Sequence, residues 1–479
     1  MLKKTINLIF AIILLQSQII SQNTIIDKLN ADTDIQSAIV GVYAVNAKTG
    51  KVLVDYNSDK NLKPASNLKL LTTIAALKIL GENNKFDTKL MYSGTISKNT
   101  LNGDLYIIGG GDPTLGADYF YDKKPKFIIQ FIDALNKAQI TQISGNLIIV
   151  DTLFKGLNTP STWICGDIGN YYGSGPSSIS IFNNIIKLYF NTKVEIDDTV
   201  KLIKTNPYVN IALENNVVAK KITNDRTTIY SSELSSKKII SGELPIGKDS
   251  FIVKGSITNP EEVLAEYFTK ELSKNNIILK GKHIVTDKNN SKLKLTLLTT
   301  FYSPTIKEIV KQTNLTSNNL YAETLLRQIN IKYRGNGTNI SAVSSLFGFW
   351  VNKGLNSNNI KLFDGSGLSS YNLISTKQLV KALQFAYSDS IFFNTFKQTL
   401  PIGGVSGTLK DMFYKTNING KVYAKSGTMN SVKAYSGYIL KQNTNENIIF
   451  SIIFNNFTIN STLAKNKIQQ IIVDLSNSY

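Results

Sequence analysis

The sequence predicts an α+β chain of several domains. One discontinuous domain of antiparallel sheet and helices is built from both ends of the chain and is interrupted by β-rich inserted domains. Three observations lead there. Strand-like alternation and helix-like periodicity occur at both ends. Two polar motifs, around Ser66 and Ser317, lie 251 residues apart, farther than one compact fold needs. The stretch between them consists mostly of short apolar runs bounded by Gly, Asn and Ser, the pattern of strands and turns. The expected boundaries are 23–85 with 295–479 for the discontinuous domain, and 86–294 for an insert of two β-rich domains.

Residues 1–22 read as a secretory signal peptide. Lys3 and Lys4 supply positive charge, and Ile6 to Leu15 is apolar apart from Asn7. Such a core is too short to span a bilayer comfortably. An uncleaved anchor is the alternative, and a cleavage site falls near Ser21 or Gln22. No cysteine lies nearby to carry a lipid. Two strands follow, Ile39–Val45 and Lys51–Tyr56, joined by the turn Asn46-Ala47-Lys48-Thr49-Gly50. A helix carrying Ser66 runs to Leu80, with Gly81 placed to end it. Within the insert, Asn102–Ile107 is echoed by Ser144–Ile149, a sign of repeated β units. Asn259-Pro260-Glu261-Glu262 is a helix start: an Asn cap, Pro at the first position and acids in the first turn. That helix should end near Asn275. Three antiparallel strands are expected at Lys421–Ser426, Ala434–Leu440 and Asn447–Asn455. The final helix, Thr462–Ser476, should bury Ala464, Ile468, Ile471, Ile472 and Leu475 on one face.

Composition narrows the function. The 479 residues are 42% hydrophobic and 18% charged, with a formal net charge of +19. No nucleic-acid module appears and the lysines are scattered, so nucleic acid is not an expected partner. An anionic cell envelope suits an exported basic chain, and peripheral membrane contact stays open. The single cysteine, Cys165, cannot form an intramolecular disulfide and is expected to be a partly buried thiol. The single histidine, His283, sits in a Lys-rich stretch and reads as a surface residue. One histidine does not build a usual zinc site, and no G-x-S-x-G elbow accompanies it. Gly109-Gly110-Gly111 lacks the Gly-Lys-Ser/Thr of a phosphate loop. Neither metal nor organic cofactor is implied. Scarcity of His and Cys points to chemistry with lysine as the base.

Ser66 and Lys69 fit that chemistry. Positions i and i+3 share one helix face, and a serine hydroxyl becomes a nucleophile when a neutral lysine takes its proton. Alone, S-x-x-K also describes a helix cap followed by a solvated lysine. Two further segments alter the balance: Ser317-Asn318-Asn319 at the head of a helical run, and Lys425-Ser426-Gly427-Thr428 at the end of a strand. The order S-x-x-K, S-x-N, K-[ST]-G is that of penicillin-binding proteins and serine β-lactamases. Longer stretches sharpen the likeness: Pro64–Lys69, Gly109–Leu115, Trp163–Asp167 with Asn170–Gly173, Asp364–Ser369, Leu400–Leu409 and Ala424–Thr428. From about residue 37 to its end, the chain resembles the type-4 penicillin-binding proteins, D-alanyl-D-alanine carboxypeptidases and endopeptidases.

The resemblance implies a transpeptidase-like (penicillin-binding/β-lactamase-like) domain made of both ends, and a periplasmic serine DD-peptidase acting on peptidoglycan stem peptides. It implies acylation of Ser66 by β-lactam antibiotics. Ser66 is then the nucleophile, Lys69 its base and Ser317 a proton relay. Asn319 orients the substrate amide, and Lys425 adds positive charge that keeps Lys69 neutral. The hydroxyls of Ser426 and Thr428 bind a terminal carboxylate, and Gly427 permits close approach of the ligand. The backbone N–H groups of Ser66 and Thr428 form the oxyanion hole. Asp167 contacts a cationic substrate side chain, or caps its own loop. Asp364–Gly367 and Gly403–Gly407 read as loops framing the cleft. A β-lactamase and a non-catalytic wall-binding scaffold are the alternatives. The balance of carboxypeptidase against endopeptidase, and the oligomeric state, stay open.

Overall fold

A computed structural model describes residues 24–121, 125–208, 211–288, 293–441 and 446–479. The signal-peptide reading falls on residues outside these. The described residues form two compact units. The first holds the residues up to Lys78, with Val310–Asn318 and Val343–Tyr479. The second holds Ile79–Ile309 and Asn319–Ala342.

The first unit is built on one antiparallel sheet. Its elements are β1 (Ile39–Asn46), β2 (Val52–Tyr56), α1 (Lys69–Leu80), α2 (Thr376–Tyr387), β3 (Val422–Met429), β4 (Val432–Ile439), β5 (Ile448–Asn455) and α3 (Ser461–Ser478). The strand order is β2-β1-β5-β4-β3. The two ends of the chain meet at its centre, where β1 pairs with β5 from Ile39↔Asn455 to Asn46↔Ile448. Every residue of β4 and β5 is buried, as expected of strands covered on both faces. On one face α3 buries Ala464, Ile468, Ile471, Ile472 and Leu475, the stripe that its periodicity predicted. They share a core with Val42, Ala44, Phe450, Ile452 and Phe454. Elsewhere the Tyr438 hydroxyl of β4 donates to the Leu383 carbonyl of α2 at 2.9 Å. In α1, every residue from Lys69 to Leu77 is buried; a helix apolar almost all round belongs in a core. The Trp350 indole N–H donates to the Leu71 carbonyl from the side, 3.2 Å away.

The second unit contains helices as well as strands. Its central feature is a repeated strand–glycine–strand unit. Thr100–Asn102 and Leu105–Gly109 flank Gly103, and Gln142–Ile143 and Leu147–Val150 flank Gly145. The two copies lie side by side in parallel register, Leu101↔Ile143 and Leu105↔Leu147. A third copy, Ile278–Leu279 and His283–Thr286 around Gly281, pairs on the far side of the second. Parallel neighbours need long crossovers, and the helices Lys126–Lys137 and Pro260–Lys274 precede the second and third copies. The expected Pro260 helix forms with Pro at its first turn and Glu261 and Glu262 behind it, but Asn259 makes no side-chain cap bond. That part of the expectation is corrected: Asn259 occupies the cap position with its backbone only. The unit also holds two three-stranded sheets, centred on Ile185–Asn191 and on Ser235–Pro245, and a parallel pair of Asp112–Leu115 with Ile179–Ile181. Among the described residues no helix is long and apolar enough to cross a membrane.

The glycines of the repeat stack. The Gly145 N–H donates to the Gly103 carbonyl at 3.1 Å, and Gly281 N–H to the Gly145 carbonyl at 3.1 Å. A Cβ on Gly145 would lie 2.5 Å from the Gly103 oxygen and 2.8 Å from its carbonyl carbon. Backbone cannot move aside as a flexible side chain can. Gly145→Ala should therefore destabilise the protein by about 2 kcal/mol or more. Thermal unfolding checks this; an unchanged midpoint would show that the stack tolerates a methyl group.

Candidate active site

Ser66 enters its helix through a 3₁₀ turn, Ala65–Leu68, that runs directly into α1 at Lys69. In a 3₁₀ turn side chains i and i+3 eclipse, so the Lys69 side chain stands over Ser66. Its Nζ donates to Ser66 Oγ at 2.8 Å and to the Ser366 carbonyl at 2.7 Å. Lys69 is 0% exposed, while Ser66 remains half-buried. Ala65, just before the serine, holds a left-handed φ of 46°, and such strain clusters at functional sites. Beneath it lies Gly367, whose Cβ would fall on the Ala65 oxygen. The loop carrying Ser366 and Gly367 is fixed by Asp364. That buried carboxylate accepts from the N–H groups of Gly367 and Ser369 (2.8 and 2.6 Å) and from the Asn372 amide (2.7 Å).

Lys425 points into the first unit from β3 and is also 0% exposed. Its Nζ donates to Ser317 Oγ at 2.9 Å and to the Ser426 carbonyl at 2.7 Å. Burial pushes its ammonium well below the usual lysine range, and the nearby Lys69 charge pushes the same way. The standing positive charge expected at Lys425 is therefore disfavoured. Ser317 is not a helix cap. Its φ is +58°, whereas caps are extended; the strained backbone turns its hydroxyl to Lys425. Gly427 lies against the turn Pro64–Ser66. A Cβ there would stand 2.7 Å from the Pro64 oxygen and 3.0 Å from the Ser66 nitrogen, so only glycine lets β3 come this close. Ser426 Oγ donates to Thr408 Oγ1 at 2.7 Å, and Thr428 is exposed.

Asn319 and Asp167 belong to the second unit, where the structure brings them to one residue. The Asn319 amide donates to the Tyr172 carbonyl at 2.8 Å, and the Tyr172 hydroxyl donates to Asp167 Oδ1 at 3.3 Å. Burial raises the Asp167 carboxyl, the tyrosine hydrogen bond partly opposing it. Burial, then Asp167, pushes Tyr172 up to about 12. Cys165 is exposed rather than partly buried: the short turn Cys165–Ile168 buries only Ile168. His283 lies on its strand, side chain 37% exposed, 4.0 Å from Glu262. Among the described residues no His, Cys, Asp and Glu gather as a metal site.

Sequence reasoning missed four partners: the Ser366 carbonyl, Asp364, Thr408 and Lys238. The first three sit in the Asp364–Ser369 and Leu400–Leu409 stretches, which carried a signal of loop architecture but not of contact. Lys238 had no signal. It is 4% exposed and donates to Ser231 Oγ (2.9 Å) and Ser256 Oγ (3.5 Å). Ser256 in turn binds the Ile168 and Gly169 carbonyls, behind the Asp167 turn.

Known proteins share this arrangement of chain. The family model described as D-Ala-D-Ala carboxypeptidase 3 (S13) matches residues 22–478. A D-alanyl-D-alanine carboxypeptidase from Actinomadura sp. (strain R39) is 27% identical over 86% of this chain and 77% of its own length. A penicillin-sensitive carboxypeptidase A from Dictyostelium discoideum is 28% identical over 86% of this chain and 81% of its own. The crystal structure of penicillin-binding protein 4 from Haemophilus influenzae superposes with a TM-score of 0.80 at 22% identity, over 92% of this chain and 96% of that one. That likeness supports the fold.

The buried Lys238 has a thermodynamic consequence. Burial pushes it from 10.5 down to about 8. Between these values the unfolded chain binds more protons than the folded one, so this group makes stability rise with pH across that window. Below it the whole cost persists. Lys238→Met should raise stability at pH 7 by about 2 kcal/mol and flatten the slope between pH 8 and 10. Denaturant unfolding at several pH values measures both, and an unaltered slope would mean that Lys238 is not held below its ordinary range.

Proposed function

The chain belongs to the D-Ala-D-Ala carboxypeptidase 3 (S13) family, and from that membership we propose that it is an exported, periplasmic serine DD-peptidase of peptidoglycan stem peptides. The observation that carries the mechanism is the 2.8 Å contact between the fully buried Lys69 Nζ and Ser66 Oγ. Neutral Lys69 takes the Ser66 proton as the oxygen attacks the carbonyl carbon of the penultimate D-alanine. The N–H groups of Ser66 and Thr428 stabilise the oxyanion; the approach of Gly427 to the Ser66 nitrogen supports this. A proton returns through Ser317, held by Lys425, to the leaving amine, and the C–N bond breaks. Water then attacks the acyl-serine ester and releases the acid. The same steps serve a terminal D-alanine or a D-Ala cross-link. The reading 1–22 as a signal peptide, and the net charge of +19, support an envelope location.

A β-lactam presents the same amide, strained in a ring, and acylates Ser66. Intact-protein mass spectrometry after incubation with benzylpenicillin should show one drug mass added to wild type and none to Ser66→Ala. Rapid drug hydrolysis without an adduct would instead indicate a β-lactamase, and neither adduct nor hydrolysis a non-catalytic scaffold. The rate of adduct formation should fall as pH drops, because the Lys69–Lys425 pair then takes up a second proton and loses its base.

We infer that Asp167 binds the ammonium group of a cationic stem-peptide side chain. Its half-buried carboxylate, beside Asn319 through Tyr172, supports this. Asp167→Asn should raise KM by about fivefold for peptides with a cationic third residue and by less for neutral ones. Since its pKa is raised, the preference should fade as pH falls through that range. Equal effects on both peptides would reduce Asp167 to a loop cap.

A further inference from the structure

Recognition of a carboxylate requires donors, and on the exposed side of β3 the donors are hydroxyls. Lys425 is buried and spends its hydrogen bonds on Ser317 and the Ser426 carbonyl. Ser426 and Thr428, two residues apart on β3, project to one side of the strand. The Ser426 hydroxyl gives its proton to Thr408. In that pair the spare O–H is the one on Thr408, which is exposed. Linked hydroxyls polarise each other, so the last donor of the chain is the strongest.

Thr408 is held rigidly where this matters. The segment before it lies along β3: Gly403 N–H donates to the Val422 carbonyl at 2.8 Å, and Ala424 N–H to the Pro401 carbonyl at 3.1 Å. The fully buried Leu409 anchors the far side. Gly407 has φ +59°, and a Cβ there would meet the Leu315 carbonyl at 2.9 Å and Pro401 Cβ at 3.1 Å. The turn is therefore wedged between β3 and the residues that lead to Ser317, and it cannot retreat with its threonine.

We propose that Thr408 is a specificity-determining residue that presents the free hydroxyl donor to a substrate's C-terminal carboxylate, with Ser426 behind it and Thr428 beside it. This rests on the DD-peptidase reading. It makes the Leu400–Leu409 stretch part of the recognition surface, and makes the preference for free-acid ends separable from the acylation chemistry.

The test is a ratio: acylation rate with benzylpenicillin, which carries a carboxylate, over the rate with its methyl ester, which does not. Whole wild-type protein, Thr408→Val and Thr408→Ser are compared by mass spectrometry. The matching pair is a peptide ending in D-Ala-D-Ala and its C-terminal amide. Thr408→Val keeps the shape without the donor and should cut the acid-to-ester ratio about tenfold, and Thr408→Ser should restore it. A ratio within twofold of wild type in Thr408→Val, whether both rates hold or both fall together, overturns the role of Thr408 and leaves the DD-peptidase reading standing. A wild-type protein that takes neither probe overturns that reading itself, and this proposal with it.

Discussion

Two lysine side chains with no solvent exposure, Lys69 and Lys425, are the constraint around which the first unit is arranged. Burying an ammonium group costs several kcal/mol unless it is paired or becomes neutral. Among the described residues Lys425 hydrogen-bonds only neutral oxygens, those of Ser317 and Ser426, so its charge is not cancelled and its proton is loosened. The surroundings offset that cost. The core strands β4 and β5 are buried along their whole length, and α1 is buried from Lys69 to Leu77. A base tuned by burial needs an unyielding shell, since water admitted by a shift would solvate the ammonium and restore its ordinary affinity for protons.

Register transmits this arrangement. Lys425 stands opposite Ser436, and Ser436 opposite Ser451. These serines join in a buried hydrogen bond of 2.8 Å, and Ser436 also accepts from the Asn67 amide at 2.7 Å. A polar row thus crosses three strands of the sheet and is joined from its middle strand to Asn67, the residue after Ser66. A slip of one residue would turn Lys425 to the other face and Ser426 inward. The row makes such slips costly, because each would leave buried hydroxyls without partners. Gly427 is the other half of the device: with the register held, its lack of a side chain lets β3 reach the Ser66 nitrogen.

Much of this was legible in the chain. The strands at both ends, the stripe of α3 and the three motifs follow from local periodicity and short patterns, which depend on neighbours in sequence. What escaped depends on tertiary contact. Nothing local marks Ser317 as left-handed, because its one visible reason, the hydrogen bond with Lys425, joins residues 108 apart in the chain. The Ser366 carbonyl is a backbone atom and leaves no composition signal. The third strand–glycine–strand copy was hidden by His283, which takes the place that Leu105 and Leu147 hold in the first two copies. Cys165, expected to be a partly buried thiol, is exposed because only Ile168 of its short turn is buried.

The proposed use of lysine rather than histidine as base has a structural logic. A histidine base needs a third group to fix its tautomer and orientation, usually a buried carboxylate that itself must be satisfied. Lysine has no tautomers, and the Lys69 amine is oriented here by a serine hydroxyl and a main-chain carbonyl. An ammonium is a poor base until burial loosens its proton, and the fold buries both lysines without placing an acid against Lys425, whose proton burial and the Lys69 charge loosen. Carboxylates are accordingly placed elsewhere. Asp364 is consumed by three donors of its own loop, and Asp167 lies in the other compact unit with Asn319. The proposed recognition of a cationic side chain by Asp167 and the proposed lysine-driven acylation would then rest on different supports, so that a change at Asp167 would alter which peptide binds without disturbing the proton balance at Ser66 and Lys69.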